Sequence, residues 1–501
     1  MQRRDFMTGA AALSAGLLLG RNALAASVKQ GQAALALPDA PLWQWQASEL
    51  AAGIASGAIS SREAVESCLG RIAEANPGLK AVVHEMHDEA LRAAQRADQR
   101  RGSDALPPLH GVPVTVKVNQ NVAGQPNTNG ILARRDNIAA DNSPVVQNLL
   151  DNGAVIIGLT STPEFSFRWY TESPLYGRTL NPWRADITPG GSSGGAASAV
   201  AAGMCPIAHG NDIAGSIRYP AYACGVVGLR PSVGRIPTGL GLGFAGQQIA
   251  TQGPLARSVA DARLAFLAMA SSGGADPNWV SPVAAPEARE KRVVGLVDEL
   301  PGIPLDASVR DNLAAVAKML EDAGYRVEPV SLPDHELATQ TWLRIVMTEI
   351  RLQLLPVMQR EGSEALQAAV QGMLEATPET GLDEYVIALA TRNNLRVKWR
   401  ALFQRYDALI APVSASAPLP WGLDAQGGAA MAQIMRQQAI LMSVALSGLP
   451  ALSVPSGLQG ERLPAGVQVI ADHYREDRCF QVAAVIEAAA RMPRAYPTGP
   501  A

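Results

Sequence analysis

Apolar positions recur at helical spacing over residues 47–75. Within that stretch, Ser60-Ser61-Arg62-Glu63 reads as the N-cap of a second helix. Residues 88–101 carry alanine and arginine at the same period. The period then changes. Residues 109–118 alternate apolar and polar as a half-buried strand does, and 154–158 are the unbroken apolar run of a fully buried one. Between them, 145–150 reads as a helix that Gly153 ends. A glycine-rich loop, a buried helix at 196–203, a second loop and a further turn-rich segment follow. Beyond these come a strand at 293–297, a helix at 307–323, a strand at 325–330 and a charged helical stretch at 342–406. Strand-like ends closed by proline lie at 409–412 and 451–455, a late strand at 465–470 and a last helix at 480–490. This continued alternation predicts an α/β protein, a sheet with helices on its faces. No internal repeat or low-complexity linker divides it, so one large domain over 26–501, with a helical insertion at about 280–440, is the simplest organisation.

Composition changes this picture mainly by exclusion. The chain has 501 residues, 48% hydrophobic and 17% charged, the balance of a globular enzyme rather than of a disordered or fibrous protein. Net charge is −3 and no lysine or arginine block is available to track a phosphate backbone, which excludes nucleic acid as the expected partner. Arg3-Arg4-Asp5-Phe6-Met7, a modestly apolar run at 10–20 and Ala23-Leu24-Ala25 describe a cleavable export leader over 1–25. Its paired arginines resemble the twin-arginine type, and the expected destination is the periplasm or the medium. Removing residues 1–25 would take the net charge to −5. No later stretch is long and apolar enough to span a bilayer, so no stable membrane insertion is expected. Cys68, Cys205, Cys224 and Cys479 lie far apart without metal-ligand spacing and are expected to be free, mostly buried thiols.

Candidate chemistry concentrates in two loops. Pro189-Gly190-Gly191-Ser192-Ser193-Gly194-Gly195 precedes the buried helix, and Gly210-Asn211-Asp212-Ile213-Ala214-Gly215-Ser216-Ile217-Arg218-Tyr219-Pro220 follows it. Glycines beside serine let successive N–H groups converge on an anion, either a phosphate or an acyl-transfer oxyanion. No GxxxxGK[ST] is present, which disfavours phosphate. The third element is Lys117. The chain has six lysines against thirty-six arginines, and this one falls in the apolar strand. Alone it would read as a snorkelling surface residue. In an apolar pocket, desolvation lowers its pKa, and a neutral amine is the base that a serine nucleophile needs.

With these residues, the stretch from about 109 to 261 resembles the amidase signature family, whose members hydrolyse carboxamides. The resemblance is carried by the lysine strand, by both serine loops, by Cys224-Gly225-Val226-Val227-Gly228-Leu229-Arg230-Pro231 and by Gly253-Pro254-Leu255-Ala256-Arg257-Ser258. Later pieces at 448–457 and 463–470 extend it over most of the chain. It implies Ser216 as nucleophile, Ser192 as a proton relay held by a cis peptide bond, and Lys117 as base. It implies an oxyanion hole from the N–H groups of Ile213, Ala214, Gly215 and Ser216, supported by Asp212 and Arg218, with Ser193 bonded near the lysine. It further implies a large mixed β-sheet core covered by helices on both faces, a small-molecule linear or cyclic amide as substrate, and no metal or organic cofactor. Two positions depart from the family pattern. Ala214 stands where glycine is common, and Val118 where an aspartate commonly follows the lysine.

Three rival readings are weaker. Residues 190–194 also satisfy GxSxG, which would make Ser192 an elbow nucleophile served by His335 or His473; that elbow needs a strand before it, and 184–189 is a poor one. A non-catalytic periplasmic binding protein is disfavoured by the intact lysine and serines. The amidase subunit of a tRNA-dependent amidotransferase is disfavoured by the leader and the lack of basic patches. Trp169, Tyr170, Trp342 and Tyr385 fit either a substrate channel or the core, and substrate identity and oligomeric state, monomer or homodimer, stay open.

Overall fold

The computed structural model describes residues 37–102, 105–239, 243–282, 292–377, 379–459, 463–490 and 492; the expected leader lies outside them. Strands Val82–Glu85 (β1), Pro113–Lys117 (β2) and Val155–Thr160 (β3) begin the main sheet, and the short pair Glu172–Ser173 (β4) and Gly177–Arg178 (β5) stands apart from it. Ile207–Asp212 (β6), Val227–Arg230 (β7), Thr251–Ala256 (β8), Val293–Leu296 (β9), Arg326–Pro329 (β10), Ala408–Ala411 (β11), Ala451–Gln459 (β12) and Leu463–Ile470 (β13) complete it. The 11-stranded order is β1-β3-β2-β6-β8-β7-β12-β13-β11-β9-β10. Pairs β3–β2, β2–β6, β11–β9 and β9–β10 are parallel, and the remainder are antiparallel, so the sheet is mixed.

Both faces of this sheet are covered. Neighbouring side chains along a strand point to opposite faces, and here they enter different cores. Ile156, Ile207 and Ala256 join one apolar cluster, while Val155, Ile157, Ala208 and Leu255 join another that contains the helix Gly194–Ala201. A third cluster gathers the helices His335–Gln353, Glu364–Ala376, Leu382–Leu402, Gly428–Gln437 and Ala439–Ser447 around Trp169, Tyr170 and Ala214. The segment 280–440 also supplies β9, β10 and β11 to one edge of the sheet, and its purely helical part lies between β10 and β11.

Most elements follow the sequence pattern. The break at Ser60 is real: Ser60 caps Ser61–Leu79 in a capping box with Glu63, after the separate helix Ala47–Ser56. Three differences have physical reasons. β2 is buried along its whole length, not half-buried, because parallel neighbours flank it on both sides. β12 does not stop at Pro455 but continues through it, with a register shift between Pro455 and Gly457 that accommodates the missing donor. β6, β7 and β8 fall where the sequence shows only turn-rich segments. All four cysteines are buried and unpaired. No helix among the described residues is long and apolar enough to cross a membrane.

Candidate active site

Lys117 ends β2, and Asp212 ends its parallel neighbour β6. Both stand at the carboxyl ends of adjacent strands, the edge at which α/β sheets present ligands. Lys117 Nζ is 2.7 Å from Ser192 Oγ, 3.0 Å from Ser193 Oγ and 2.8 Å from Asn211 Oδ1, and the side chain is fully buried. Burial holds its pKa well below the ordinary lysine value, and the Asp212 carboxylate only partly opposes this. Three oxygens thus lie within hydrogen-bond reach of Nζ. An amide oxygen only accepts, so Asn211 takes one N–H. Ser193 Oγ donates to the Asn211 carbonyl at 3.4 Å and accepts the second. In the neutral form of the amine, the lone pair would then be left for the Ser192 hydroxyl.

The loop carrying Ser192 and Ser193 approaches other backbone too closely for side chains. A Cβ on Gly191 would stand 2.3 Å from the Arg168 carbonyl oxygen. The Gly191–Ser192 peptide is cis. Thr162 Oγ1 donates to the Ser192 carbonyl at 3.0 Å, and Ser193 N–H donates to the Ser216 carbonyl at 3.2 Å, joining the two serine loops. Ser216 is 7% exposed, and its hydroxyl bonds no other group among the described residues.

The turn 212–216 is organised peptide by peptide. Asp212 O accepts from Arg230 Nη1 at 2.6 Å, Ile213 O from Trp342 Nε1 at 2.9 Å, and Gly215 O from Tyr219 N at 2.7 Å. In a trans peptide the N–H points opposite to the carbonyl. The N–H groups of Ile213, Ala214 and Ser216 therefore project away from these anchors, and none has an acceptor among the described residues. The Ala214–Gly215 peptide is held at both ends instead. Its carbonyl accepts from Trp169 Nε1 at 3.0 Å, and its N–H donates to Asp212 Oδ1 at 2.9 Å. Of the four N–H groups expected to receive an oxyanion, Gly215's is thus engaged elsewhere, and the other three have no acceptor among the described residues. Gly215 adopts φ 97°, where a Cβ would also strike Leu441 Cδ1 at 2.4 Å.

Asp212 and Arg218 form a fully buried ion pair, Nε to Oδ2 and Nη2 to Oδ1 both at 3.1 Å. Burial alone would push the Asp212 carboxyl up, but Arg218 and Arg230 outweigh it and hold it well below the usual carboxylate range. Arg218 reaches further, to Gln468 Oε1 at 3.0 Å and Leu441 O at 2.9 Å, so the pair ties the turn to β13 and to the helix Ala439–Ser447.

Several participants carried no sequence signal. Asn211 Nδ2 donates to Asn119 Oδ1 at 3.0 Å, Asn119 Nδ2 to Ser166 Oγ at 2.9 Å, and Ser166 Oγ to Asn129 Oδ1 at 2.7 Å. Phe165 and Ser166 both have positive φ, 57° and 55°, a strained conformation for non-glycine residues. This amide chain supplies the polar surroundings of Lys117 that Val118, buried in the apolar core, does not. Arg230 lies within the family-like segment, and its contact with the Asp212 carbonyl emerges only in the structure. The elbow reading finds no support here: no strand lies between Arg178 and Ser192, His473 Nε2 is bonded to the Ser447 carbonyl at 2.8 Å, and the His335 ring is buried without a partner among the described residues. Trp169 and Trp342 are buried against the turn 212–216; Tyr170 OH donates to Pro420 O and Tyr385 OH to Glu349 Oε1. Among the described residues no three His, Cys, Asp or Glu side chains are grouped to hold a metal ion.

Known proteins match this chain over most of its length. The Amidase family model matches residues 63–480. An indoleacetamide hydrolase of Bradyrhizobium diazoefficiens is 43% identical over 459 residues, 90% of this chain and 87% of the relative. An acylamidase of Rhodococcus erythropolis is 34% identical, over 88% of this chain and 94% of the relative. The crystal structure of a bacterial aryl acylamidase, described as belonging to the amidase signature enzymes, superposes with a TM-score of 0.78 at 28% identity, covering 90% of this chain and 97% of that one.

Proposed function

This chain belongs to the amidase signature family and is an amidohydrolase, and on that premise we propose that it cleaves small carboxamides through an acyl-enzyme on Ser216. The observation that carries the reading is the buried Lys117 amine, 2.7 Å from Ser192 Oγ, on a loop bonded to Ser216 beside three open N–H groups. Neutral Lys117 takes the Ser192 proton while Ser192 takes the proton of Ser216, whose Oγ attacks the amide carbonyl. The oxyanion is received by the N–H groups of Ile213, Ala214 and Ser216, where charge develops. Breakdown returns a proton through Ser192 to the leaving nitrogen. Water, deprotonated by the same relay, then releases the carboxylic acid and restores Ser216.

For the acyl group we propose an arylacetyl moiety, with indole-3-acetamide as the first candidate. Support comes from the 43% identical indoleacetamide hydrolase and from the aromatic residues Trp169, Tyr170, Tyr219 and Trp342 clustered with Ala214 of the turn. The test is ammonia release from indole-3-acetamide by the wild type and by Ser216→Ala. Turnover by the wild type alone supports the proposal. Turnover of peptide or aliphatic amides with none of arylacetamides would contradict the acyl preference.

We also propose that residues 1–25 direct export by the twin-arginine route, on the strength of Arg3-Arg4 ahead of the apolar run. Recovery of a processed chain from the periplasm, abolished by Arg3→Lys with Arg4→Lys, is the expected outcome. An unprocessed cytoplasmic chain would contradict it.

A further inference from the structure

The Ala214 N–H is aimed by a residue from a distant part of the chain. Trp342 lies on the helix His335–Gln353, 129 residues from the carbonyl of Ile213 that its indole holds at 2.9 Å. That carbonyl belongs to the same trans peptide as the Ala214 N–H, so fixing one end fixes the direction of the other. A donor on the carbonyl also polarises the peptide and strengthens its N–H as a donor. We propose that Trp342 is a positioning residue for the oxyanion site, through which the helical part of the chain sets the aim of one catalytic N–H.

Trp169 supplies an internal comparison. Its indole makes the same bond, 3.0 Å to Ala214 O, but the N–H of that peptide is already held by Asp212 at 2.9 Å and does not face the open side of the turn. Loss of the Trp169 donor leaves its peptide anchored, whereas loss of the Trp342 donor frees its peptide. Both indoles are buried against the same apolar cluster, so replacing either by phenylalanine changes packing in a similar way.

This inference rests on Ser216 as the attacking group. The experiment compares Trp342→Phe, Trp169→Phe and Ser216→Ala for kcat and KM on an arylacetamide, and for affinity toward the corresponding trifluoromethyl ketone and toward the arylacetic acid. Deleting an oxyanion donor outright costs a factor of ~10²–10³, so misaiming one should lower kcat about ten-fold. Trp342→Phe is expected to lose that factor in kcat and in ketone affinity, with KM and acid affinity nearly unchanged. Trp169→Phe should lose less. Wild-type kcat in Trp342→Phe, a change confined to KM, or an equal loss in Trp169→Phe would overturn the role. A Ser216→Ala enzyme that still turns over would instead overturn the reading beneath it. Should Trp342→Phe not fold, the indole N–H resonance of Trp342 in the wild type should shift when the ketone binds; an unmoved resonance overturns the proposal.

Discussion

Asn211 Oδ1 accepts from Lys117 Nζ at 2.8 Å, so the amine is oriented by a neutral amide rather than by a carboxylate. That choice matters for a base that works uncharged. A carboxylate at hydrogen-bond distance favours the ammonium form. Asn211→Asp is therefore expected to raise the pKa of Lys117 and to move the acid limb of the kcat/KM profile upward by about 1 pH unit or more. A profile that stays where the wild type's lies would show that Asn211 does not tune the amine.

The depressed pKa of Lys117 has two consequences with defined signs. The proposed mechanism requires the neutral form, so activity is expected to be lost as pH falls through the folded-state pKa. Stability moves in the same direction. Between that pKa and the ordinary value of 10.5, the unfolded chain holds a proton that the folded one does not, so stability decreases as pH drops across this window and levels off below it. Lys117→Ala should nearly abolish turnover and flatten this part of the stability profile while leaving the circular dichroism spectrum native. Wild-type turnover in the variant would remove Lys117 from the mechanism.

The pair Asp212–Arg218 predicts a stability effect. Asp212→Asn leaves the buried Arg218 guanidinium, and the Arg230 contact beside it, without a compensating charge. Breaking a buried pair from one side costs about 3–5 kcal/mol. Urea unfolding of the variant should reveal a loss of that order, and a loss no larger than that of a surface substitution would contradict this account of the pair.

The parts of the site that were legible in the sequence are those that violate a local expectation. A lysine in an apolar strand and serines embedded in glycines are both anomalous, and Lys117, Ser192 and Ser193 are indeed brought together. The parts that were not legible obey local rules or depend on distant ones. Residues 207–212 contain histidine, glycine, asparagine and aspartate, a poor strand composition; they form β6 because β2 and β8 pair on either side. Asn211 consequently reads as one more loop residue until that strand sets it beside Lys117. The engagement of Gly215 N–H by Asp212 likewise follows from the turn's three-dimensional path, which no residue pattern specifies. Trp342 could only be assigned to core or channel, because its partner is a backbone carbonyl.

Ala214 tests the oxyanion turn itself. Its N–H is one of the three without an acceptor among the described residues, and alanine supplies it as well as glycine would. Ala214→Gly should change turnover only modestly. Ala214→Pro deletes the donor and should lower kcat by a factor of ~10²–10³ or more, with a much smaller change in the affinity of a ground-state competitive inhibitor. A folded proline variant with wild-type kcat would move the oxyanion site elsewhere.

The central claim is that Ser216, not Ser192 or Ser193, carries the acyl group. It is tested most directly by reacting the enzyme with a fluorophosphonate and locating the adduct by peptide mass mapping, in the wild type and in Lys117→Ala. A single adduct on Ser216 is expected, formed much more slowly without the Lys117 amine that lies 2.7 Å from Ser192 Oγ. An adduct on Ser192 or Ser193, or labelling of Ser216 at an unchanged rate in Lys117→Ala, would contradict it.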